Sequence, residues 1–395
     1  MPDLIYPLAS TTWDSQEVEV ATKLLESYQL TMGSEVKKFE EDFAAYIGTK
    51  FAVMFNSGSS ANLGMLAALR YVKNSPISEG DEVIVPAVSW STTYYPVNQA
   101  GLTLKFVDID LNTLNMDVEL VEKAIGPRTK AILAVNLLGN PAELTKLREL
   151  ALKHNLVLLE DNCESLGAEL DGVKAGSFGL AGTYSFFFSH HICTMEGGMV
   201  TTNSKDFAET LISIRAHGWT RGLENENSVH SKSDNEWEDL FRFVLPGYNL
   251  RPIELSGAIG QVQLRKFPEF LEWRRRNANV FIKLFGNCPD IIVQKEIGSS
   301  SWFGFSFILT GRLSGKRVQL LDFFSKHGIE TRPIVAGNFT VNPVMKHLKY
   351  ASLSKFPNAE TLHNEGFFIG NHHLDFSSGL NYVYDIFNSF VKGLN

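Results

Sequence analysis

Residues 156–168 read LVLLEDNCESLGA, an apolar run that ends in Glu160 and Asp161 and is followed by Glu164. A short apolar run without a polar face is typical of a strand buried on both sides, as in a parallel sheet covered by helices. Such sheets bind ligands beyond the carboxyl ends of their strands, so we expect these carboxylates at the binding edge. A buried carboxylate needs a partner, and a protonated ring nitrogen would suit Asp161. The alternative is an Asp that caps the next helix.

The same kind of pattern extends on both sides of this run. Apolar runs alternate with amphipathic segments, which indicates an α/β fold with a largely parallel sheet. Residues 222–239 are polar without useful periodicity and are predicted to form an exposed loop. We place a domain boundary near 246–290, with a smaller α/β domain after it. The predicted strands are 51–55, 82–85, 103–109, 130–136, 156–160, 183–188 and 199–202, and the predicted helices include 34–47, 117–125, 141–154 and 254–285.

Length and charge narrow the class of protein. The chain has 395 residues, which suggests two or three domains at roughly 150 residues each. Lys and Arg number 36 and Asp and Glu number 44, and the net charge of −8 argues against a general nucleic-acid binder. No segment has the length and apolarity of a membrane span, and no secretory signal is visible, so we expect a cytoplasmic enzyme.

The three cysteines limit the possible metal chemistry. Cys163, Cys193 and Cys288 are too few for a disulfide framework and lack the spacing of a zinc site. They also fail to supply the four thiolates of an ordinary iron–sulfur cluster. We therefore expect no metal site and no iron–sulfur cluster.

Residues 55–70, FNSGSSANLGMLAALR, follow a predicted strand and open a predicted helix. Gly58, Ser59 and Ser60 would present N–H groups and hydroxyls at the helix N-terminus, where the helix dipole favours a phosphate. An N-capped helix after a glycine turn explains the motif equally well. Trp90 follows the next predicted strand, where its ring could stack on a flat ligand, although an isolated Trp is more often part of a core.

The segment SFFFSHHICTMEGGMV, residues 185–200, contains two adjacent histidines, His190 and His191. Imidazole titrates near neutral pH, so this pair at the end of a predicted strand suits proton transfer. Metal binding is the poorer explanation, because no further ligands with metal-site spacing accompany the pair. Solvent-exposed histidines without a function are the other alternative.

Together, these segments resemble the DegT/StrS family of sugar aminotransferases that use pyridoxal phosphate (PLP), a branch of the aspartate aminotransferase fold. The resemblance implies a large PLP-binding domain with a mostly parallel seven-stranded sheet, residues 1–250, and a smaller C-terminal α/β domain, residues 251–395. The similar segments follow the family's order through nearly the whole chain: TMGSEVKKFEEDFAAYIGTKFAVMFNSGSSAN (31–62), FVDIDLNTLNMD (106–117), VNLLGNPAEL (135–144), LEDNCESLGAELDGVKAGSFG (159–179) and GYNLRPIELSGAIGQVQL (247–264).

The resemblance also implies how the cofactor phosphate is held. Gly58, Ser59 and Ser185 would bind it within one chain. Asn249 corresponds to a residue that reaches the phosphate of the neighbouring subunit's cofactor. A homodimer with shared active sites is therefore implied.

Three further residues would contact the cofactor ring. By the resemblance, Trp90 would stack on the pyridine ring, Asp161 would pair with the ring nitrogen, and Glu164 would lie near the ring.

One departure from the family pattern changes the expected reaction. Family aminotransferases have a lysine at the position of His190 that binds the cofactor covalently, and residues 181–196 contain no lysine. Histidine moves protons but cannot form that bond, so PLP and its amine form, pyridoxamine phosphate (PMP), would be bound non-covalently. The change is similar to the family's ketosugar 3-dehydratases, one kind of which carries an iron–sulfur cluster. Three scattered cysteines favour the cluster-free kind, which acts on GDP-4-keto-6-deoxy-D-mannose.

The implied reaction uses L-glutamate to make PMP, removes the C3 hydroxyl of a nucleotide-linked 4-keto-6-deoxyhexose with His190 as acid and base, and releases ammonia. It would belong to the biosynthesis of colitose-type deoxysugars. Arg332 is a candidate ligand for the glutamate carboxylate or a nucleotide phosphate, with a surface salt bridge as the alternative, and His217 and Arg221 are further candidates. Competing hypotheses are an aminotransferase that uses another lysine, such as Lys174, and a non-catalytic sensor that binds the cofactor.

Overall fold

Strands and helices alternate along the chain as the sequence pattern predicts. The computed structural model describes residues 4–394. The strands are β1 (Phe51–Phe55), β2 (Glu82–Pro86), β3 (Thr103–Val107), β4 (Thr129–Val135), β5 (Val157–Asp161), β6 (Glu169–Leu170), β7 (Val173–Lys174), β8 (Ala181–Ser185), β9 (Gly198–Thr202), β10 (Ile291–Ile292), β11 (Gly304–Leu309) and β12 (Gly366–Gly370). The α-helices are α1 (Ser15–Glu26), α2 (Ser34–Ile47), α3 (Gly58–Tyr71), α4 (Ser91–Gln99), α5 (Val118–Ala124), α6 (Leu144–Lys153), α7 (Lys205–Arg215), α8 (Glu236–Asp239), α9 (Glu254–Phe285), α10 (Arg317–Lys326), α11 (Pro357–Glu365) and α12 (Ser377–Lys392). Short 3-10 turns cover Leu137–Gly139, Gly311–Leu313, Phe339–Val341 and Pro343–His347.

Seven strands form the main sheet, in the order β1-β9-β8-β5-β4-β2-β3. Only β9 runs against its neighbours, so the prediction of a mostly parallel sheet is confirmed. Alternate residues of a strand point to opposite faces. Accordingly, Val83 and Val85 of β2 pack in the cluster that contains Tyr94 of α4, whereas Ile84 packs in the one that contains Leu147 of α6. Both faces are buried, which explains the continuous apolar runs.

The predicted helices 34–47 and 254–285 have the observed bounds of α2 and α9. The predicted strand 183–188 is wrong at its end, because β8 stops at Ser185. The N–H of His190 donates to the carbonyl of Phe187 at 2.9 Å, which closes a turn, and the side chains of Phe187 and Phe188 are exposed. Residues 222–239 are irregular as predicted, except for the single turn of α8.

The C-terminal part is built around a smaller antiparallel sheet, β10-β11-β12. Phenylalanines such as Phe281 and Phe305, whose rings stack at 4.4 Å, fill its core with the second half of α9 and α12. Tyr6, near the N-terminus, packs in the same core. The first half of α9 packs instead on the main sheet, through Phe267 among others. The division into residues 1–250 and 251–395 stays a prediction.

Within residues 4–394, no helix is both long and apolar enough to cross a lipid bilayer.

Candidate active site

A cavity of about 700 Å³ opens at the carboxyl ends of the parallel strands, where a sheet of this type binds its ligands. Segments that follow β1, β2, β4, β5 and β8 contribute to its wall, and the C-terminal part closes one side. Of the residues predicted from the sequence, the cavity brings together Gly58, Ser59, Trp90, Asp161, Glu164, Ser185, His190 and Arg332.

The N-terminus of α3 forms one wall of the cavity. The Ser57 hydroxyl caps the helix by accepting a hydrogen bond from the N–H of Ser60 at 3.0 Å. Gly58 and Ser59 follow in the first turn, where the N–H groups have no partners within the helix and the dipole favours an anion. A Cβ on Gly58 would lie 2.5 Å from the Cβ of Ser185, so only glycine lets β8 approach this closely. The arrangement fits a phosphate.

Asp161 ends β5 and is 5% exposed at the floor of the cavity. Its Oδ2 accepts hydrogen bonds from Asn62 Nδ2 at 2.9 Å and Thr93 Oγ1 at 2.8 Å, and its Oδ1 accepts one from the N–H of Cys163 at 3.2 Å. Thr183 Oγ1 donates to Asn62 Oδ1 at 2.6 Å, which fixes the orientation of the amide. Asp161 does not cap a helix, so that alternative is excluded. These neutral donors fix the carboxylate without supplying a positive charge.

Two other residues shape the space around this carboxylate. Trp90 precedes α4, and its side chain is 58% exposed in the cavity wall, so it is not part of the core. An exposed indole in the same cavity wall as this carboxylate is suited to stack on a flat ring. Glu164 accepts a hydrogen bond from the N–H of Leu138 at 3.0 Å. Burial raises the pKa of Glu164 to about 7, with a smaller contribution from Asp161, while the Leu138 N–H opposes the shift.

His190 lies in the turn after β8, within the cavity wall. Its ring packs edge-on against Phe303 at 5.3 Å and Phe187 at 6.1 Å. Its Nδ1 is buried without a hydrogen-bond partner. Burial, with a smaller effect of the Arg274 charge, lowers the pKa of His190 to about 4, so the imidazole is neutral and able to accept a proton at neutral pH. It is thereby poised as a base.

His191 points away from this cavity and is 1% exposed. Its Nε2 lies 3.1 Å from the carbonyl of Ser301, and its ring packs against Phe267 and Phe303. Burial is the main reason that its pKa lies well below the usual value. It shares Phe303 with His190, so it supports the neighbouring ring through packing.

Arg332 reaches the cavity from the C-terminal part. Its guanidinium pairs with Glu330 at 2.6 Å while its side chain is 52% exposed. The predicted salt bridge is therefore present. It leaves the guanidinium accessible at the cavity edge, where the other predicted role, binding of a substrate anion, stays possible.

Three predicted site residues lie elsewhere. Asn249 and Arg221 line a second cavity of about 630 Å³, together with Trp219. The His217 ring packs edge-on against Trp219 at 5.2 Å, so it belongs to the same region. The cavity that holds His190 is therefore built without these three residues of its own chain.

Lys174 is also remote from His190. It lies on β7, where its Nζ is 4.9 Å from the centre of the Tyr46 ring. The described residues that line the His190 cavity include no lysine. The hypothesis that Lys174 replaces the family's lysine is therefore wrong on geometry.

The cysteines lie in three separate surroundings. Cys163 lines the cavity, Cys193 is buried near Trp13, and Cys288 packs in the C-terminal core. Within residues 4–394 no cluster of three or more His, Cys, Asp or Glu could hold a metal ion.

Sequence reasoning missed Asn62 and Thr93, which hold Asp161. Asn62 offered a signal, because it is a polar residue on the otherwise apolar inner face of α3. Thr93 offered none, since its partner is 68 residues away.

The donor set can be compared with the chemistry of PLP. The helix N-terminus with Gly58 and Ser59 fits the phosphate, Trp90 fits the face of the ring, and Asp161 fits a protonated ring nitrogen. The residues present thus fit this cofactor.

Comparison with known proteins shows the family to which the chain belongs. The sequence pattern of the DegT/DnrJ/EryC1/StrS aminotransferase family matches residues 11–385. This chain belongs to that family. The resemblance stated from the sequence is confirmed, and so is the aminotransferase-like α/β fold.

Within the DegT/DnrJ/EryC1/StrS family, several relatives are similar over nearly their whole length. The GDP-4-keto-6-deoxy-D-mannose 3-dehydratase of Escherichia coli O55:H7 is 50% identical over 383 residues, which cover 96% of this chain and 99% of that protein. A solved structure of a mutant GDP-4-keto-6-deoxymannose-3-dehydratase with bound GDP-perosamine has a TM-score of 0.94 at 50% identity, covering 96% of this chain and 99% of that one. A structure of the enzyme with a trapped PLP-glutamate geminal diamine has the same TM-score, identity and coverage.

Proposed function

We propose that this chain is a PLP-dependent 3-dehydratase that removes the C3 hydroxyl of GDP-4-keto-6-deoxy-D-mannose. The observation that carries the proposal is a neutral histidine, His190, in a cofactor-shaped cavity whose described lining contains no lysine. The 50% identity to a dehydratase of this name supports the same substrate.

When bound in its amine form, the cofactor would supply an amino group for the C4 ketone and a ring that accepts electrons. Gly58, Ser59 and Ser185, which line the cavity, would hold its phosphate, and Trp90 would stack on its ring. Asp161 would keep the ring nitrogen protonated, because a carboxylate held by Asn62 and Thr93 is already oriented to accept that hydrogen bond. Glu164, in the same cavity wall, would lie near the ring.

His190 performs the proton transfers. Its neutral imidazole would accept the proton from the C4′ carbon of the cofactor. The resulting imidazolium can return a proton to the C3 hydroxyl as it departs as water. Because no lysine lines the described cavity, the chain offers no amine that would hold the cofactor covalently between turnovers.

The atoms and electrons of the whole reaction balance. The sugar loses one oxygen and is reduced at C3, while glutamate gains one oxygen and is oxidised to 2-oxoglutarate. The amino group of glutamate leaves as ammonia after the product hydrolyses. No external reductant is required, which agrees with the proposal that the enzyme works without an iron–sulfur cluster.

Arg332 is the proposed ligand for an anionic group of a substrate, either the glutamate carboxylate or a nucleotide phosphate. The relatives bound to GDP-perosamine and to a PLP-glutamate adduct support GDP-sugar and glutamate as substrates. We propose further that the enzyme is a cytoplasmic homodimer in which Asn249 completes the partner's active site. Its separation from its own chain's His190 cavity, and its place in a second cavity with Arg221, support this arrangement.

The test is product analysis. The purified chain is incubated with PLP, L-glutamate and GDP-4-keto-6-deoxy-D-mannose, and the nucleotide sugar is measured by mass spectrometry. We expect a product that is lighter by one oxygen atom. An unchanged substrate or a sugar that carries nitrogen would overturn the proposal.

A further inference from the structure

Arg274 is a buried cation without an acidic partner. It lies in the middle of α9, 4% exposed. Its NH1 donates to the carbonyls of Trp302 and Phe303, both at 3.3 Å, and of Asn371 at 3.2 Å, and its Nε has no partner. It forms no salt bridge with any acidic residue of the described chain. An unpaired buried charge is costly, so its retention needs a reason beyond packing.

The carbonyls that Arg274 holds belong to a strained segment. Trp302 adopts a φ of 48°, which is unfavourable for a residue other than glycine. The Asn371 amide donates to the same Trp302 carbonyl at 2.8 Å, and the Phe303 N–H donates to the carbonyl of Leu138 at 2.9 Å. Such a conformation persists only where its surroundings fix it. Arg274 is one of the groups that fix it.

This segment forms the support of the two histidines. The Phe303 ring lies 5.3 Å from the His190 ring and 5.8 Å from the His191 ring, and the Ser301 carbonyl lies 3.1 Å from His191 Nε2. A shift of the Trp302–Phe303 peptide would therefore move the surface on which His190 rests.

The Arg274 charge also acts on both imidazoles. It contributes, after burial, to the low pKa values of His190 and His191. The other charged or titratable groups that line the His190 cavity are Asp161, Cys163, Glu164, Glu196 and Arg332, and His191 is the next residue in the chain. The carboxylates would favour an imidazolium, whereas the buried cation of Arg274 disfavours it.

We propose that Arg274 is a positioning residue for His190: it fixes the Trp302–Phe303 peptide against which the ring packs, and it places an unneutralised positive charge within this support. The inference rests on the proposed function only in giving that neutral ring the role of base.

The test measures the titration of His190 directly. Full-length protein with ¹³C-labelled histidine, with and without PLP, is titrated by NMR, and His190→Asn identifies the signal. In the wild type we expect a midpoint well below 6.5. In Arg274→Met the midpoint should rise measurably above that of the wild type, because the Arg274 charge no longer disfavours the imidazolium. Arg274→Lys keeps the charge and should retain a low midpoint.

The matched control is Arg275→Met. Arg275 is the next residue and donates to the carbonyls of Ser300 and Gly167 at 3.0 and 3.1 Å, but it does not contribute to the pKa shift of His190. We expect this variant to leave the His190 midpoint unchanged. The acid limb of kcat/KM for the sugar should shift upward with the midpoint in Arg274→Met and stay in place in Arg275→Met.

Two results would overturn the proposal. One is a folded Arg274→Met protein, by circular dichroism, whose His190 midpoint equals that of the wild type. The other is a wild-type midpoint at or above 6.5, which is decisive even where Arg274→Met does not fold. Because the titration needs no turnover, it remains valid if the dehydratase assay fails.

Discussion

His190 owes its chemistry to its surroundings as much as to its residue type. Its position at the end of a turn, with Phe303 and Phe187 against the ring, removes it from water and keeps it neutral. A lysine at the same place would supply a nucleophile, whereas an imidazole supplies only proton transfer. We therefore expect a base without an attacking amine at this position to favour elimination over transamination.

Replacement of this base gives the first prediction. His190→Asn should lower the rate of sugar dehydration by about 10²–10⁴-fold, the usual worth of a general acid–base group. The dissociation constant for PLP, measured by absorbance, should stay within a few-fold of the wild type, because the phosphate and ring contacts remain. The exposed His347 is a matched control, and His347→Asn should leave both values unchanged. Retained turnover in His190→Asn would show that another group moves the proton.

The Asp161 network gives the second prediction. Asp161→Asn should weaken PLP binding by about 10–150-fold, which corresponds to the loss of a charge-assisted hydrogen bond of ~1.5–3 kcal/mol. Thr93→Val removes only one of the bonds that orient this carboxylate, so we expect a smaller loss of about 2–10-fold. Fluorescence titration with PLP measures both. Equal affinity in Asp161→Asn and the wild type would contradict the role of the carboxylate.

At the scale of the helices and strands, the sequence correctly predicts the bounds of those elements whose apolar residues repeat regularly. α2 and α9 have the predicted bounds because their apolar residues repeat at helical spacing, as Val36, Phe39 and Phe43 do. The predicted end of β8 was wrong because Phe187 and Phe188 have high strand propensity, whereas the chain turns there and the His190 N–H closes the turn on the Phe187 carbonyl. Propensity alone does not contain that information.

The prediction of the site was likewise limited to features that local sequence reveals. Candidates at the end of a strand or in the turn after it, such as Asp161 and His190, were found because the ends of parallel strands meet at one edge. The pairing of Asn62 and Thr93 with Asp161, and the support of His190 by Phe303, join residues that are distant in sequence. No periodicity or motif encodes such contacts, so they required the structure.

The close approach of α3 and β8 gives the third prediction. Gly58→Ala would place a Cβ 2.5 Å from Ser185 Cβ and 2.9 Å from its Oγ, so the helix N-terminus must move. We expect the affinity for PLP to fall by at least about tenfold, or ~1.4 kcal/mol, because the N–H groups no longer converge on the phosphate. Gly126→Ala is the control, since its Cβ would have only Lys105 Nζ nearby, at 3.5 Å. An unchanged PLP affinity in Gly58→Ala would argue against a phosphate site here.

At the scale of the whole molecule, the two cavities explain why one chain separates its candidate residues. His190 lies in the first cavity and Asn249 in the second. In a homodimer with two-fold symmetry, the second cavity of one subunit can complete the first cavity of its partner. The proposed shared active sites follow from this arrangement.

Mixing of two inactive proteins tests that arrangement. His190→Asn and Asn249→Ala homodimers should each have low activity, whereas their mixed dimer has one site in which both residues are intact. Random reassociation of equal amounts should therefore restore about a quarter of the wild-type activity, since half of the dimers are mixed and carry one working site each. His190→Asn mixed with His190→Asn/Asn249→Ala is the control and should stay inactive. No recovery in the first mixture, with subunit exchange verified, would show that the sites are not shared.

The fate of the glutamate nitrogen tests the central claim most directly. The protein is incubated with PLP, ¹⁵N-labelled L-glutamate and GDP-4-keto-6-deoxy-D-mannose, and the label is followed by NMR. A dehydratase without a lysine in its cavity should release one labelled ammonium ion for each 3-deoxy sugar formed, with no label in the sugar. Label retained at C4 of the sugar, with the C3 hydroxyl still present, would show an aminotransferase and contradict the account.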